Sequence, residues 1–377
     1  MIERRIAVIF AFVRHLNVHS RDYTSIPSAS GAMGHENDEN MSAVLYGIKD
    51  FRMEPRPMPE SGPDDLLVRV HSVGICGTDI HFYHHAAFGR IVVKEPMVIG
   101  HEGSGTVEKV GQNVKNFAVG DRVVMEPNIV CQKCDHCKTG NDNRCENVTM
   151  FGQFARYVTV PQSFCHKLPE SVTMEEGALL EPLSCAFHGC RRAGLEQGQK
   201  ILICGSGAIG ALSLLGAKSF GVSKIVATDI SEGRLDFIKT LGADCTVNVM
   251  GKSPKEAAEA IRLALGSEPD VVLECTGLGV SVETAIHSVK IGGTVCVVGM
   301  GGIRADLPLL EAICKEINIK TSLKYNHHEE FATVVKMVGE GKIDLKKVST
   351  AHYKLPDIEQ AFKKTMAAEV IKVMVHP

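Results

Sequence analysis

Residues 131–145 read CQKCDHCKTGNDNRC, which sets Cys131, Cys134, Cys137 and Cys145 at a C-x2-C-x2-C-x7-C spacing. Four thiolates so spaced can turn inward on one tetrahedron, with sulfur–zinc distances of about 2.3 Å. Such a cage leaves no open coordination position, so the role it implies is structural. A redox C-x-x-C pair is the alternative, although nothing around it resembles a thioredoxin context. Upstream, GICGTD supplies Cys76, and GHEGSG supplies His101 and Glu102. A thiolate, an imidazole and a carboxylate without a fourth cysteine leave a position for water or substrate, which a catalytic zinc needs. Each of the three alone reads equally well as core, and their coincidence with a cofactor motif gives them weight.

That motif is ICGSGAIG (203–210), a G-x-G-x-x-G at Gly205, Gly207 and Gly210. The first glycine permits the tight turn, the second lets the backbone approach a pyrophosphate, and the third allows close helix–strand packing. Asp229 ends the apolar run KIVATD, at the position of a ribose-binding acid. Its charge would repel a 2′-phosphate, so NAD is favoured over NADP. Arg234, close by, could serve either cofactor.

The elements that must position these residues show in the rhythm of the chain. From 41 to about 165, short runs such as LLVRVHSVGI, VGDRVVMEP and ARYVTVP, broken by Gly and Pro, predict a largely β domain. From about 200 the pattern alternates: KILICG, KIVATD, DVVLECTG and GTVCVVGMG as strands, AIGALSLLGAKSFG, EGRLDFIKTLG and SVETAIHSVKIG as helices. This is the signature of βαβ units on a parallel sheet. Beyond 327 the return to a helix and short strands suggests that the carboxyl-terminal stretch completes the first domain.

Length and composition bound the rest. The 377 residues exceed one ordinary core and predict two domains. A net charge of −3 without a long basic run makes nucleic acid an unlikely partner, and no run reaches the roughly 18 apolar residues of a membrane span. The thirteen cysteines are an odd number, and Cys204, Cys275 and Cys296 lie singly in apolar runs, as small buried hydrophobes in a reducing, cytoplasmic setting. Residues 14–40 read as disorder, and the apolar IAVIFAFV (6–13) behind basic residues leaves a targeting signal open. The adjacent pairs His84–His85 and His327–His328 point apart on any regular element and are read as surface or packing residues.

In their order along the chain, GICGTD, GHEGSGTVEKVG, VGDRV, the four-cysteine segment, EEGALLEPLS and GSGAIG resemble the zinc-containing medium-chain dehydrogenase/reductase family. KEPMVIGHE and EEGALLEPLSCAFHGCRRA are most similar to its sorbitol (polyol) dehydrogenase branch. The resemblance spans about 41–377. It implies an α/β fold: a GroES-like β-rich catalytic domain (41–185 and 327–377) with a Rossmann doubly wound parallel-sheet domain (186–326), behind a flexible 1–40 extension. It also implies oxidation of a polyol secondary alcohol, sorbitol to fructose or xylitol and its relatives, with NAD as hydride acceptor, in a homotetramer.

By the same resemblance Cys76, His101 and Glu102 are ligands of a catalytic zinc, and Cys131, Cys134, Cys137 and Cys145 of a structural one. Glu181 would hold the zinc water and contact substrate, Thr78 would relay the alcohol proton, and Phe82, Lys324 and Tyr325 would face the substrate. Gly205, Gly207, Ile209, Gly210, Asp229, Arg234, Val298, Gly299, Met300 and Leu323 would bind NAD. Three departures stand out. Phe82 replaces a Tyr and Lys324 an Arg, whose bidentate geometry Lys cannot reproduce. About six residues are missing between Phe151 and Gly152, which would open the substrate cleft or strain the strand that follows. A zinc dehydrogenase for another secondary alcohol or for threonine, and a silent NAD-binding variant, remain as alternatives.

Overall fold

The alternation of Leu66, Val68 and Val70 in the strand Asp65–Gly74 puts one face of that strand into an apolar core. Around it the computed structural model, which describes residues 39–88, 91–301 and 304–377, builds a seven-stranded sheet. Its order is Cys165–Lys167, Arg122–Met125, Glu102–Val110, Asp65–Gly74, Val373–His376 and Ala351–Lys354, with Tyr157–Pro161 also paired to Asp65–Gly74. The carboxyl-terminal strand thus enters beside Asp65–Gly74, Val375 opposite Val73. The 1–38 part of the extension, with its leader-like run, lies outside the described residues, among which the first strand is Asn40–Gly47.

The second sheet has six parallel strands in the order Cys245–Asn248, Lys224–Asp229, Lys200–Cys204, Val271–Glu274, Thr294–Val297 and Asn318–Thr321. Ile201, Leu202 and Ile203 are fully buried, as a central parallel strand covered on both faces demands. The helix Leu180–Ala193 joins the cores, burying Leu180, Leu183 and Phe187. It stops at Gly194, whose φ of 77° supplies the left-handed cap.

The short segment after Phe151 is accommodated without the expected strain. Gln153 N and Phe154 N both donate to Ile99 O, and Phe154 O accepts from Ala43 N. No residue from 141 to 193 has a positive φ. Gly152 carries the crossing, because a Cβ there would lie 2.0 Å from Val98 O. The residual penalty sits in Gln153, which is fully buried with neither amide atom hydrogen-bonded. An unsatisfied buried polar group costs about 1–3 kcal/mol. Gln153→Met, which keeps the length and removes both polar atoms, should therefore raise stability by about 1–3 kcal/mol. Urea unfolding checks this: an unchanged or lower midpoint would show that the amide is satisfied after all.

Candidate active site

The segment GICGTD leaves the strand Asp65–Gly74 and starts a helix, Gly77–His85, with Cys76 as its N-cap. Asp79, at the third position of that helix, is buried and organises the corner. It accepts from Cys76 N at 2.9 Å and Gly100 N at 3.2 Å, and its Oδ1 lies 3.2 Å from His101 Nδ1. An Nδ1–H donated to this carboxylate leaves His101 Nε2 as a lone pair for a metal. Burial alone would lower the His101 imidazole, but the Asp79 carboxylate and Cys76 outweigh it and hold it well above its ordinary value.

Cys76, His101 and Glu102 present ligand atoms within 4.8 Å of one another, a soft, a borderline and a hard donor as zinc accepts. Glu102 is also gripped by Lys372 Nζ, at 2.6 Å and 2.5 Å from its two oxygens, and Lys372 donates further to Ile75 O at 3.1 Å. Both residues are buried. Glu181, in the first turn of Leu180–Ala193, faces this group. Burial pushes its carboxyl up to about 7, with Glu102 adding to the shift and His101 and Lys372 opposing it. Thr78 is half-buried on the helix that follows Cys76.

The four cysteines also converge, their sulfurs within 4.8 Å of one another. Cys134 Sγ lies 3.5 Å and Cys131 Sγ 4.0 Å from Cys137 Sγ, either side of the roughly 3.8 Å edge of a zinc–thiolate tetrahedron. Backbone N–H groups of Lys133 and Cys134 aim at Cys131 and pull its thiol down to about 6. All thirteen cysteines are free, which fits a metal cage rather than disulfides. Of the three read as buried hydrophobes, Cys204 and Cys296 are fully so, and Cys275 is half-buried against the same core.

The lobe grips the segment 323–327 through the short turn between its third and fourth cysteines. Asn143 Nδ2 donates to Leu323 O at 2.9 Å, and His327 N donates to Asp142 Oδ1 at 2.9 Å. Lys324 Nζ donates to Asn128 Oδ1 at 2.7 Å, and burial holds its ammonium below the usual lysine value. Lys324 has φ 52°, a left-handed backbone that non-glycine residues rarely adopt and that clusters at functional sites. Beside it the Tyr325 hydroxyl is buried against Asn128, the side chain that Lys324 also holds. His327 stacks on Phe164 and approaches Glu126 Oε1 at 2.7 Å, so it packs, as read from the sequence. Burial holds the Glu126 carboxyl well above its ordinary range. Phe82, by contrast, is fully buried and offers no surface to a substrate.

A cavity of about 410 Å³ opens at the carboxyl ends of the parallel strands, lined by Gly205, Gly207, Asp229, Arg234 and Thr276 among others. Gly205 has φ 92°, and a Cβ on Gly210 would meet Gly205 O at 1.8 Å, so both must be glycine. A Cβ on Gly207 would meet nothing nearer than Arg234 at 3.8 Å, which leaves the space a pyrophosphate needs. Asp229 accepts from Ser206 N, Ile230 N and Ser231 N, which leaves one Oδ2 lone pair for a ribose hydroxyl. Val298, Gly299, Met300 and Leu323 follow two further strand ends, with Met300 and Leu323 exposed. Ile209 lies half-buried in the first turn of the helix Ala208–Ser219.

Two family models match the chain: Alcohol dehydrogenase GroES-like domain over residues 62–170 and Zinc-binding dehydrogenase over 208–340. Sorbitol dehydrogenase of Mus musculus is 41% identical over 343 residues, covering 89% of this chain and 96% of that protein. D-xylulose reductase A of Aspergillus niger is 41% identical over 348 residues, covering 90% and 97%. The chain belongs to the zinc-containing medium-chain dehydrogenase family, in its sorbitol dehydrogenase branch. A Sinorhizobium meliloti protein described as a zinc-binding dehydrogenase, solved with NADP, superposes with a TM-score of 0.83 at 29% identity. That match covers 90% of this chain and 99% of the other.

Within this medium-chain dehydrogenase frame, two residues escaped the sequence reading. Asp79 stands in the quoted GICGTD, and its place three residues into a helix behind Cys76 is the capping-box signal that could have marked it. Lys372 had no signal, because its partner Glu102 lies 270 residues earlier.

Proposed function

We propose that this chain oxidises a secondary hydroxyl of a polyol such as sorbitol or xylitol to the ketone, with NAD accepting the hydride. The observation that carries the reading is the Cys76–His101–Glu102 set, gathered beneath Glu181 and backed by the buried anchors Asp79 and Lys372. These three residues would hold a catalytic zinc, and the four-cysteine lobe a structural one. Bound there, zinc supplies a Lewis acid that acidifies the substrate hydroxyl.

The chain's own groups do the rest. The Tyr325 hydroxyl and the Lys324 ammonium, both beside Asn128, offer hydrogen bonds to the other polyol hydroxyls, since such buried groups discriminate strongly against a ligand that lacks a partner for them. Glu181 orients the reacting hydroxyl, and Thr78 Oγ1 passes its proton outward. Gly205, Gly207 and Gly210 seat the dinucleotide with Ile209, Val298, Gly299, Met300 and Leu323 along its length, in a domain of residues 186–326. Residues 41–185 and 327–377 supply the catalytic domain. A cytoplasmic location and a homotetramer complete the proposal. For the latter, the edge strand Asn318–Thr321 and the exposed Leu309, Leu310 and Ile313 offer an apolar face, and light scattering reads the mass.

NAD rather than NADP follows from Asp229. Asp229→Ala removes a charged hydrogen bond to the ribose worth about 1.5–3 kcal/mol, so kcat/KM for NAD should fall about tenfold or more. Relief of the repulsion should let NADP turnover rise. A variant that kept its NAD preference would place recognition elsewhere. The function itself is tested by NADH formation from the full chain with sorbitol and xylitol, before and after zinc chelation. Chelator-sensitive turnover supports it. NAD binding without turnover would favour the silent variant, and turnover confined to simple secondary alcohols would favour another dehydrogenase of the family.

A further inference from the structure

Away from the catalytic corner and the cysteine lobe, Glu175, His352 and His376 also bring ligand atoms within 4.8 Å of one another. They come from three separate elements: the helix Met174–Ala178 and the strands Ala351–Lys354 and Val373–His376. His352 is exposed, and the other two are half-buried at the rim of the first sheet.

The hydrogen bonds around the two imidazoles orient them toward each other. His376 Nδ1 lies 3.2 Å from His71 O. A carbonyl only accepts, so Nδ1 carries the proton and Nε2 is left as a lone pair. That Nε2 lies 3.0 Å from His352 Nδ1, and the other nitrogen of His352 lies 3.3 Å from Ser349 Oγ. Ser72 Oγ adds a contact at 3.2 Å to His376 Nδ1. The Ser349 hydroxyl can donate or accept. When it donates, His352 Nδ1–H bonds His376 Nε2 directly. When it accepts, the His352 proton moves to Nε2, and two lone pairs with a carboxylate then face one point.

We infer that Glu175, His352 and His376 form a third divalent-metal site, selective for zinc-like transition cations. Two imidazoles and a carboxylate match the preference of Zn2+ and its neighbours rather than of Mg2+ or Ca2+. Zinc–nitrogen bonds of about 2.0–2.1 Å place two ligand nitrogens about 3.3 Å apart on a tetrahedron. The observed 3.0 Å is a small rotation of the exposed His352 ring away from that. His71 O, Ser72 and Ser349 then act as the outer hydrogen bonds that fix ligand orientation. Occupancy ties the helix that leads into Glu181 to the strand that follows Lys372, so the cation fastens two segments that flank the catalytic corner.

The test uses the full chain carrying its tightly held zinc, titrated with Zn2+ alone and, for spectroscopy, with Co2+. Zinc content after gel filtration should be one equivalent higher for the wild type than for His352→Gln. That variant is chosen because His352 is exposed and its loss leaves the sheet intact. Glu175→Gln should weaken the extra equivalent, and added zinc should raise the melting temperature of the wild type but not of His352→Gln. Co2+ should give d–d absorption bands that His352→Gln lacks. Zinc bound by other surface histidines, such as His81, His84 and His85, would persist in both proteins and cancel in the comparison. Equal zinc content and equal thermal response in wild type and His352→Gln would overturn the site.

Discussion

Lys372→Met should destabilise the metal-free protein by about 3–5 kcal/mol, the usual consequence of leaving one member of a buried ion pair alone. Both carboxylate oxygens of Glu102 rest on this ammonium, and Lys372 and Glu102 are nearly inaccessible to solvent. Burial alone would lower the Lys372 ammonium, but Glu102 and Cys76 outweigh it and the net shift is upward. A folded value above the unfolded one means that the stabilisation is fully present below the unfolded value, through neutral pH, and is lost as pH rises from there through the folded value. Lys372→Arg keeps the charge and should recover most of the loss. Zinc, added back, brings a second positive charge to Glu102 and should restore part of the stability of Lys372→Met. Urea unfolding of the chelated and zinc-loaded forms reads all of this. A loss within 0.5 kcal/mol, the range of ordinary surface substitutions, would mean that Glu102 is satisfied without its lysine.

Cys76→Ser should abolish polyol-dependent NADH formation by at least about 100-fold, given that losing even the outer hydrogen-bond partner of a ligand costs about 10–100-fold. The folded state should survive, because Cys76 stands at a helix start rather than in the core and Asp79 still holds its backbone N–H. Zinc content should drop by one equivalent, the one at the catalytic corner, while the cysteine lobe keeps its own. Asp79→Ala is the companion. It leaves all three donors in place but frees His101 from its anchor, so it should lower zinc affinity by about 10–100-fold. Full activity and full zinc content in Cys76→Ser would remove this corner from the chemistry.

The parts of the site that sequence made legible are those whose geometry is set by close spacing. Cys131 to Cys145 converge because fifteen residues with two tight turns can close on themselves. Gly205, Gly207 and Gly210 are readable because a turn between a strand and a helix fixes all three at once. The strands Lys200–Cys204, Lys224–Asp229, Val271–Glu274 and Thr294–Val297 stood out as unbroken apolar runs buried on both faces. The two edge strands, Cys245–Asn248 and Asn318–Thr321, carry polar residues and bury only one side chain between them, so their sequence pattern is weak. What could not be read is pairing across the fold. The grip of Asp142 and Asn143 on Leu323 and His327, and of Lys372 on Glu102, joins residues with no sequence relation. The short crossing after Phe151 misled for the same reason: its hydrogen bonds go to Ile99, Gly100 and Ala43, which no local reading includes.

Synthesis runs from the amino end, and the order in which this chain leaves the ribosome differs from the order in which its catalytic corner closes. Cys76, His101 and Glu102 emerge early, yet the cation that steadies Glu102 is residue 372, and the strand beside Asp65–Gly74 runs from 373 to 376. Until those residues are free, the Val73–Gly74 end of the central strand lacks its neighbour and the Glu102 carboxylate lacks its cation. The parallel sheet in between can gather on its own local contacts, whereas the last pairing of the first sheet must wait for a strand about 300 residues away, the slowest kind of contact to make. An incomplete nascent chain therefore carries Cys76 and His101 already held by Asp79, while Glu102 waits for the cation that arrives just before the strand Val373–His376.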